Sequence, residues 1–254
     1  MVNVIAVTQA RVGSSRLPGK ILMEIQGTSL LEIHLKRVLQ AKQVSRVIVA
    51  TTFEDGVEKI CQIADKFSVT CFQGSTIDVL DRFYQAVKES RPDYVVRITS
   101  DCPLIDAELL DKIIQFTIDN NLDYCSNTLI EEYPDGQDIE VFTFDALQKA
   151  WMEATLSSER EHVTPFLRKN CDFNGGHIFK SLNYNSPNNF KHIRMTVDEL
   201  DDFEFIKKII LELGLEKTWK EYTQYIVSNY VILKNQQIVR NEGYTNSIKN
   251  ENLK

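Results

Sequence analysis

The sequence predicts an α/β protein with a mostly parallel central sheet and helices on both faces. Two observations carry that expectation. Short β-branched runs alternate with longer amphipathic segments four times in the first half of the chain, and successive strand-then-helix units build a parallel sheet covered on both sides. At 254 residues, of which 43 % are hydrophobic, the chain is long enough to bury such a core as one domain.

The elements follow in order. Val4 to Val7 is the first strand, and Leu30, Leu31, Ile33, Leu35, Val38 and Leu39 have helical spacing behind it. Val47 to Ala50 is followed by Val57, Ile60, Ile63 and Ala64; Val69 to Phe72 by Val79, Leu80, Phe83, Tyr84 and Val87; Tyr94 to Ile98 by Leu109, Leu110, Ile113, Ile114 and Phe116. Ligands of such sheets bind beyond the carboxyl ends of strands where strand order reverses, so the loops after Val7, Ala50, Phe72 and Ile98 are the places for chemistry.

Beyond about residue 122 the rhythm changes. Asp123 to Asn127 and Ile139 to Phe144 read as strands flanking a polar turn, Phe144 to Ala154 and residues 158–169 as helices, and Ile178 to Leu182 and His192 to Val197 as strands. Helices over about 200–213 and 218–229 close the pattern. The expected organisation is a single domain over 1–254: a nucleotide-binding half 1–122, an acceptor and dimerisation half 123–230, and a polar tail 231–254.

A formal charge of −7 disfavours a nucleic-acid surface, which needs clustered positive charge. Five cysteines without a Cys-x-x-Cys pair argue against a disulfide framework and a zinc site, and a reducing cytoplasm is the expected setting. The chain has no basic leader and no long apolar stretch, so no export and no membrane partner are expected.

The loop after the first strand is the strongest signal. Arg11, Arg16 and Lys20 place three cations within ten residues, and Gly13 and Ser14 offer backbone N–H donors in a tight turn, a cradle for several phosphates. Its spacing fits neither the Gly-x-x-x-x-Gly-Lys phosphate loop nor the dinucleotide fingerprint. The plain alternative is a solvated basic turn.

Other candidates are balanced between chemistry and local structure. Asp101, at the end of the fourth strand, is placed to hold a hard cation bridging phosphates; equally, Asp101 or Asp106 can cap the next helix. Asp198 is a second strand-end acid, with helix capping as its alternative and Asp201 and Asp202 serving the helix dipole. Together Asp101 and Asp198 would make a magnesium site with phosphate oxygens. The segment from Gly74 through Ser75 and Asp78 to Arg82 either reads a base or ribose or caps its helix. Asp135, Asp138 and Glu140 either line a sugar site or form a turn and a solvated strand face. His162, beside Glu161, is the one histidine to watch, although a lone helical histidine is more often structural.

Read in order, these residues resemble a known family. Gln9-Ala10-Arg11-x-Gly13-Ser14-x-Arg16-Leu17-Pro18-Gly19-Lys20, Gly74-Ser75-x-x-Asp78-Val79-Leu80-x-Arg82 and Arg97-Ile98-Thr99-x-Asp101-Cys102-Pro103-Leu104-Ile105 are similar to the SpsF-like cytidylyltransferases of spore-coat polysaccharide biosynthesis, relatives of the CMP-KDO and CMP-sialic acid synthetases. Tyr133-Pro134-Asp135-Gly136-x-Asp138-x-Glu140, Arg160-Glu161-His162-Val163-Thr164-Pro165, Arg194-x-Thr196-Val197-Asp198 and Arg240-Asn241-Glu242-Gly243-Tyr244 extend the likeness over nearly the whole chain. Ser100 replaces a common glycine and Met195 a common aromatic, and neither change removes a charge.

The resemblance implies a Rossmann-like nucleotide-diphospho-sugar transferase fold and a magnesium-dependent reaction of CTP with a small acidic sugar, giving a CMP-sugar and pyrophosphate. It gives Arg11, Arg16 and Lys20 to the triphosphate, with Asp101, as the catalytic set. Gln9, Ala10, Gly13, Ser14, Gly74, Ser75, Asp78, Arg82 and Arg97 go to the nucleotide, Asp135, Asp138, Glu140, Glu161 and His162 to the acceptor, and Asp101 and Asp198 to Mg2+. A homodimer through about 130–170 is expected by the same analogy. The alternatives are a glycosyltransferase of the same fold, a cytidylyltransferase for a phosphonate or polyol phosphate, and a non-catalytic subunit. A glycosyltransferase is disfavoured because Ser100-Asp101-Cys102 is not Asp-x-Asp, and a silent subunit because five site charges are all present.

Overall fold

The computed structural model describes residues 2–229, 240 and 242–251. Its first half contains the four expected units. β1 (Val4–Gln9) runs into a loop, a 3-10 turn at Lys20–Leu22 and a small ribbon of β2 (Glu24–Ile25) and β3 (Thr28–Ser29). α1 (Leu30–Val38) then starts on a capping box, Glu32 accepting the Ser29 N–H at 2.7 Å while Ser29 Oγ accepts that of Glu32 at 3.3 Å. β4 (Arg46–Thr51) leads to α2 (Val57–Lys66), β5 (Thr70–Gln73) to α3 (Val79–Val87), and β6 (Tyr94–Thr99) to α4 (Ala107–Asp119).

β1 is flanked by β4 and β6, both parallel to it, with β5 outside β4. The chain thus steps outward from β1 through β4 to β5, then returns to the other side of β1 as β6. That reversal opens a crevice beyond the carboxyl ends of β1 and β6. Period-two alternation fills both faces: Val4 and Ala6 pack with Leu31, Ile60 and Ile113, whereas Ile5 and Val7 pack with Leu80, Phe83 and Leu147.

The second half adds β7 (Tyr124–Ser126), β8 (Glu140–Thr143), α5 (Phe144–Glu153), α6 (Ser157–His162), α7 (Pro165–Asn170), β9 (Ser181–Asn183), α8 (Leu200–Leu213), α9 (Trp219–Asn229) and α10 (Glu242–Glu251). The seven-stranded sheet has the order β5-β4-β1-β6-β8-β7-β9, with β8 antiparallel to both neighbours. Among the described residues no helix is long and apolar enough to cross a membrane.

Four local expectations are corrected. The helix expected over 158–169 is two short helices, because Val163 turns with φ of 71° and Pro165, first residue of the second helix, has no N–H to continue the first. The strand expected from Ile178 lies at Ser181–Asn183, with Phe179 making only an isolated bridge to Cys171. His192 to Val197 is extended but not a sheet strand: Arg194 makes one bridge to Asp135, and the Met195 and Val197 N–H groups donate to loop carbonyls of Asp135 and Asp101. Within the expected polar tail, residues 242–251 form a helix packed on α6 and held by polar contacts.

Candidate active site

A cavity of about 560 Å³ opens at the crevice beyond β1 and β6. Three backbone segments deliver its central charges. The loop after β1 supplies Arg11, Ser14, Arg16 and Lys20, and the turn after β6 supplies Asp101. The extended segment before α8 puts Ile193, Met195 and Val197 into an apolar cluster, which by alternation turns Arg194, Thr196 and Asp198 to the cavity.

Lys20 is the meeting point. Its Nζ donates to Asp101 Oδ2 at 2.7 Å, Asp198 Oδ1 at 2.9 Å and the Val197 carbonyl at 2.8 Å. Burial opposes its charge, but the two aspartates outweigh it and hold the ammonium above its ordinary pKa. For Asp101 the same balance runs the other way: burial raises the carboxyl, and Lys20 draws it down to about 2. Arg16 reaches Asp198 Oδ1 at 2.8 Å, and Arg194 reaches Asp198 Oδ2 at 2.8 Å and Asp202 Oδ1 at 2.8 Å.

Neither Asp101 nor Asp198 is a helix cap. Asp106 caps α4, accepting from the Leu109 N–H, and Glu199 is the N-cap of α8. Asp202 does more than favour a helix dipole: it accepts the Asp198 and Glu199 N–H groups and anchors Arg194.

The remaining candidates divide. Gln9, Ala10, Arg82, Arg97, Asp135, Asp138, Glu161 and His162 line the cavity. Gln9 Oε1, Arg82 Nε and Arg97 Nε are buried there with no hydrogen-bond partner among the described residues, a state that a native site completes with ligand or water. Gly74, Ser75 and Asp78 lie outside the cavity and serve Arg82 instead. A Cβ at Gly74 would sit 2.9 Å from Arg82 Cγ, the Ser75 carbonyl accepts from Arg82 Nη1, and Asp78 caps α3 and pairs with Arg160.

Gly13 and Glu140 are not cavity residues either. The Gly13 N–H donates to Glu54, and a Cβ there would meet Glu54 Oε2 at 2.5 Å. Glu140, expected at a sugar site or on a solvated strand face, is buried behind the cavity. It pairs with Arg97 at 2.7 Å and accepts from Tyr124 and Thr164; against its burial, these partners and Arg168 hold its carboxyl below the usual range.

The far side of the cavity involves residues to which sequence reasoning gave no role. Arg240 pairs with Asp138 and lies within 4.0 Å of Glu131 and Asp135, and its Nη1 donates to the Tyr133 carbonyl. Burial and the neighbouring Asp138 push the Asp135 carboxyl up to about 7, although Arg240 and Arg194 both face it. Tyr244 lines the cavity and sets its ring edge-on to His162 at 5.3 Å. His162 Nε2 lies 3.1 Å from Ser247 Oγ, and burial lowers the imidazole pKa, favouring the neutral ring. Another histidine passed over, His34, is a strut: buried and driven down to about 4 by that burial, it bridges Thr8 and the Cys102 carbonyl.

A covered, mostly parallel sheet with a cation-rich loop and paired aspartates at its reversal point has its candidate site where such sheets bind ligands. The cytidylyltransferase family model matches residues 5–238, and the chain belongs to that family. It is 41 % identical to MJ1063 of Methanocaldococcus jannaschii over 83 % of each chain. It is 33 % identical to the spore coat polysaccharide biosynthesis protein SpsF of Bacillus subtilis, over 84 % of this chain and 89 % of that one. A cytidylyltransferase structure from Leptospira borgpetersenii superposes with a TM-score of 0.86 at 33 % identity, covering 94 % of this chain and all of the other. A CMP-KDO synthetase solved with CTP shares the fold, with a TM-score of 0.60 at 19 % identity over 83 % of this chain and 99 % of its own. The protein is therefore a nucleotidyltransferase of the cytidylyltransferase family.

Proposed function

We propose that the enzyme uses CTP to activate a small acidic sugar, releasing pyrophosphate and a CMP-sugar for glycan or polysaccharide synthesis. The observation that supports this reading best is the convergence of Lys20, Asp101 and Asp198 beside Arg11 and Arg16 in one cavity. In-line attack by an acceptor oxygen on the α-phosphorus needs chiefly positioning and charge neutralisation, which Arg11, Arg16 and Lys20 supply for the departing pyrophosphate.

The donor set fits a magnesium ion. Asp101 and Asp198 converge on a point that a cation, the Lys20 ammonium, already occupies. Among the described residues no three-ligand cluster closes a metal cage, and Mg2+ characteristically takes one or two carboxylates and fills its shell with phosphate oxygens and water. Bound there, Mg2+ would neutralise phosphate charge during transfer.

The acceptor is assigned to the opposite side, where Asp138, Glu161, His162 and Tyr244 offer hydrogen bonds to hydroxyls and Arg97 offers a cation to a carboxylate. Pyrophosphate release with each of the four nucleoside triphosphates, against a panel of 2-keto sugar acids, tests the reading. CTP with a sugar acid should be the productive combination, with the CMP-sugar detected by mass. Equal or faster release with another nucleotide, or none with CTP, would overturn it.

A further inference from the structure

The loop after β1 is held from outside the cavity. Val12 N–H donates to Glu54 Oε1 at 2.6 Å and Gly13 N–H to Glu54 Oε2 at 3.1 Å, so one carboxylate spans two successive amides. Successive N–H groups of this kind form an anion-binding concavity, and here a side chain of the loop after β4 fills it. Neither Val12, Gly13 nor Glu54 lines the cavity, whereas Arg11, Ser14 and Arg16 around them do. The loop is therefore pinned on its outer side while its cations face inward. Two further contacts close the turn: the Val12 carbonyl accepts from Ser14 N–H at 2.9 Å and Gly19 N–H at 2.8 Å.

We propose that Glu54 is a positioning residue for the triphosphate-binding loop, presetting Arg11, Ser14 and Arg16 for an incoming nucleotide without touching it. The proposal rests on the reading that this loop binds a triphosphate. It also explains Gly13 differently from a phosphate cradle: the missing side chain makes room for Glu54, since a Cβ would fall 2.5 Å from Oε2. An unpinned loop must be ordered on binding, and that ordering is subtracted from affinity.

The test is calorimetric titration of the full-length protein with two probes in the presence of Mg2+: CTP, and tripolyphosphate as a base-free anion. Glu54→Ala should weaken both by about tenfold, the loss of charge-assisted loop bonds showing as lost preorganisation. Glu54→Gln, which keeps one acceptor oxygen, should recover part of the loss. The melting temperature should stay close to wild type. Gly13→Ala disturbs the same contact from the loop side and should weaken both probes even if Glu54→Ala folds poorly. Unchanged affinity in these variants would overturn the proposal. Tighter binding in Glu54→Ala would overturn it too, by making Glu54 a competitor of the phosphate. Failure of the wild-type protein to bind either probe would instead remove the triphosphate reading on which it stands.

Discussion

The two sides of the cavity differ in how they are made. On one, Lys20, Asp101 and Asp198 are fixed by a sheet reversal and by an extended segment anchored in apolar packing. On the other, Asp135, Asp138, Glu161 and His162 lie on turns and a short helix, completed by Arg240 and Tyr244 from the far end of the sequence. The first side has near-complete charge pairing. The second is kept together by polar latches: Glu251 accepts the Ser158 N–H at 2.5 Å and its hydroxyl at 2.8 Å, and Ser247 Oγ donates to Glu161 at 2.8 Å. Partly exposed polar contacts are individually weak, so the difference is one of rigidity as well as chemistry. On the proposed function, a nucleotide would meet a preset surface and the acceptor side would be the part open to change.

The largest effect should come from the rigid side. Asp101→Ala should cut pyrophosphate release on the order of a thousandfold while circular dichroism stays that of the wild type. Wild-type turnover would break the comparison at its root. Next, Arg194→Met should destabilise the fold by about 3–5 kcal/mol in denaturant unfolding, because it strips a buried cation from Asp135, Asp198 and Asp202 together. A loss below about 1 kcal/mol would mean that this network is held elsewhere.

On the acceptor side, Tyr244→Ala should raise the acceptor KM about tenfold and leave the CTP KM nearly unchanged. Equal changes in both would erase the division of the cavity. The smallest effect concerns pH. Asp135 is raised by burial and by Asp138, to about 7. A carboxyl whose folded pKa is raised binds its proton more tightly in the native state, so stability falls as pH rises from the unfolded value through the folded one. Between pH 4 and 7 the wild-type protein should therefore lose stability that Asp135→Asn does not lose, read by thermal melts at both ends of the window. Parallel pH profiles would contradict the assignment.

Much of the rigid side was legible in the sequence. A contiguous loop carries Arg11, Arg16 and Lys20, and the rule that parallel sheets bind ligands at strand ends points to it directly. The four strand-helix units were legible for the same reason: each is a local period. Asp101 and Asp198 stayed undecided between capping and ligation, because the sequence does not show that Asp106 and Glu199 take the caps.

What was hidden depends on distant pairing. Glu140 reads as one face of a strand, but β8 pairs with β6 and sets it against Arg97. The segment from Gly74 to Arg82 reads either as a ligand segment or as a helix cap made by Ser75 and Thr76; the cap is Asp78, and Gly74 makes room for Arg82. The loop after Ala50 was marked as a place for chemistry, but nothing in its composition singles out Glu54, whose partners are backbone amides 42 and 41 residues away. Arg240 and Tyr244 appear in a motif whose role only the folded chain supplies.

On the proposed function Asp101 and Asp198 mark the nucleotide side and Asp135 and Asp138 the acceptor side. Anomalous diffraction from crystals grown with CTP and Mn2+ tests it most directly. The account predicts a manganese peak held by Asp101 and Asp198, with the triphosphate against Arg11, Arg16 and Lys20. Manganese held by Asp135 and Asp138, or a triphosphate lying on the Tyr244 side, would contradict it.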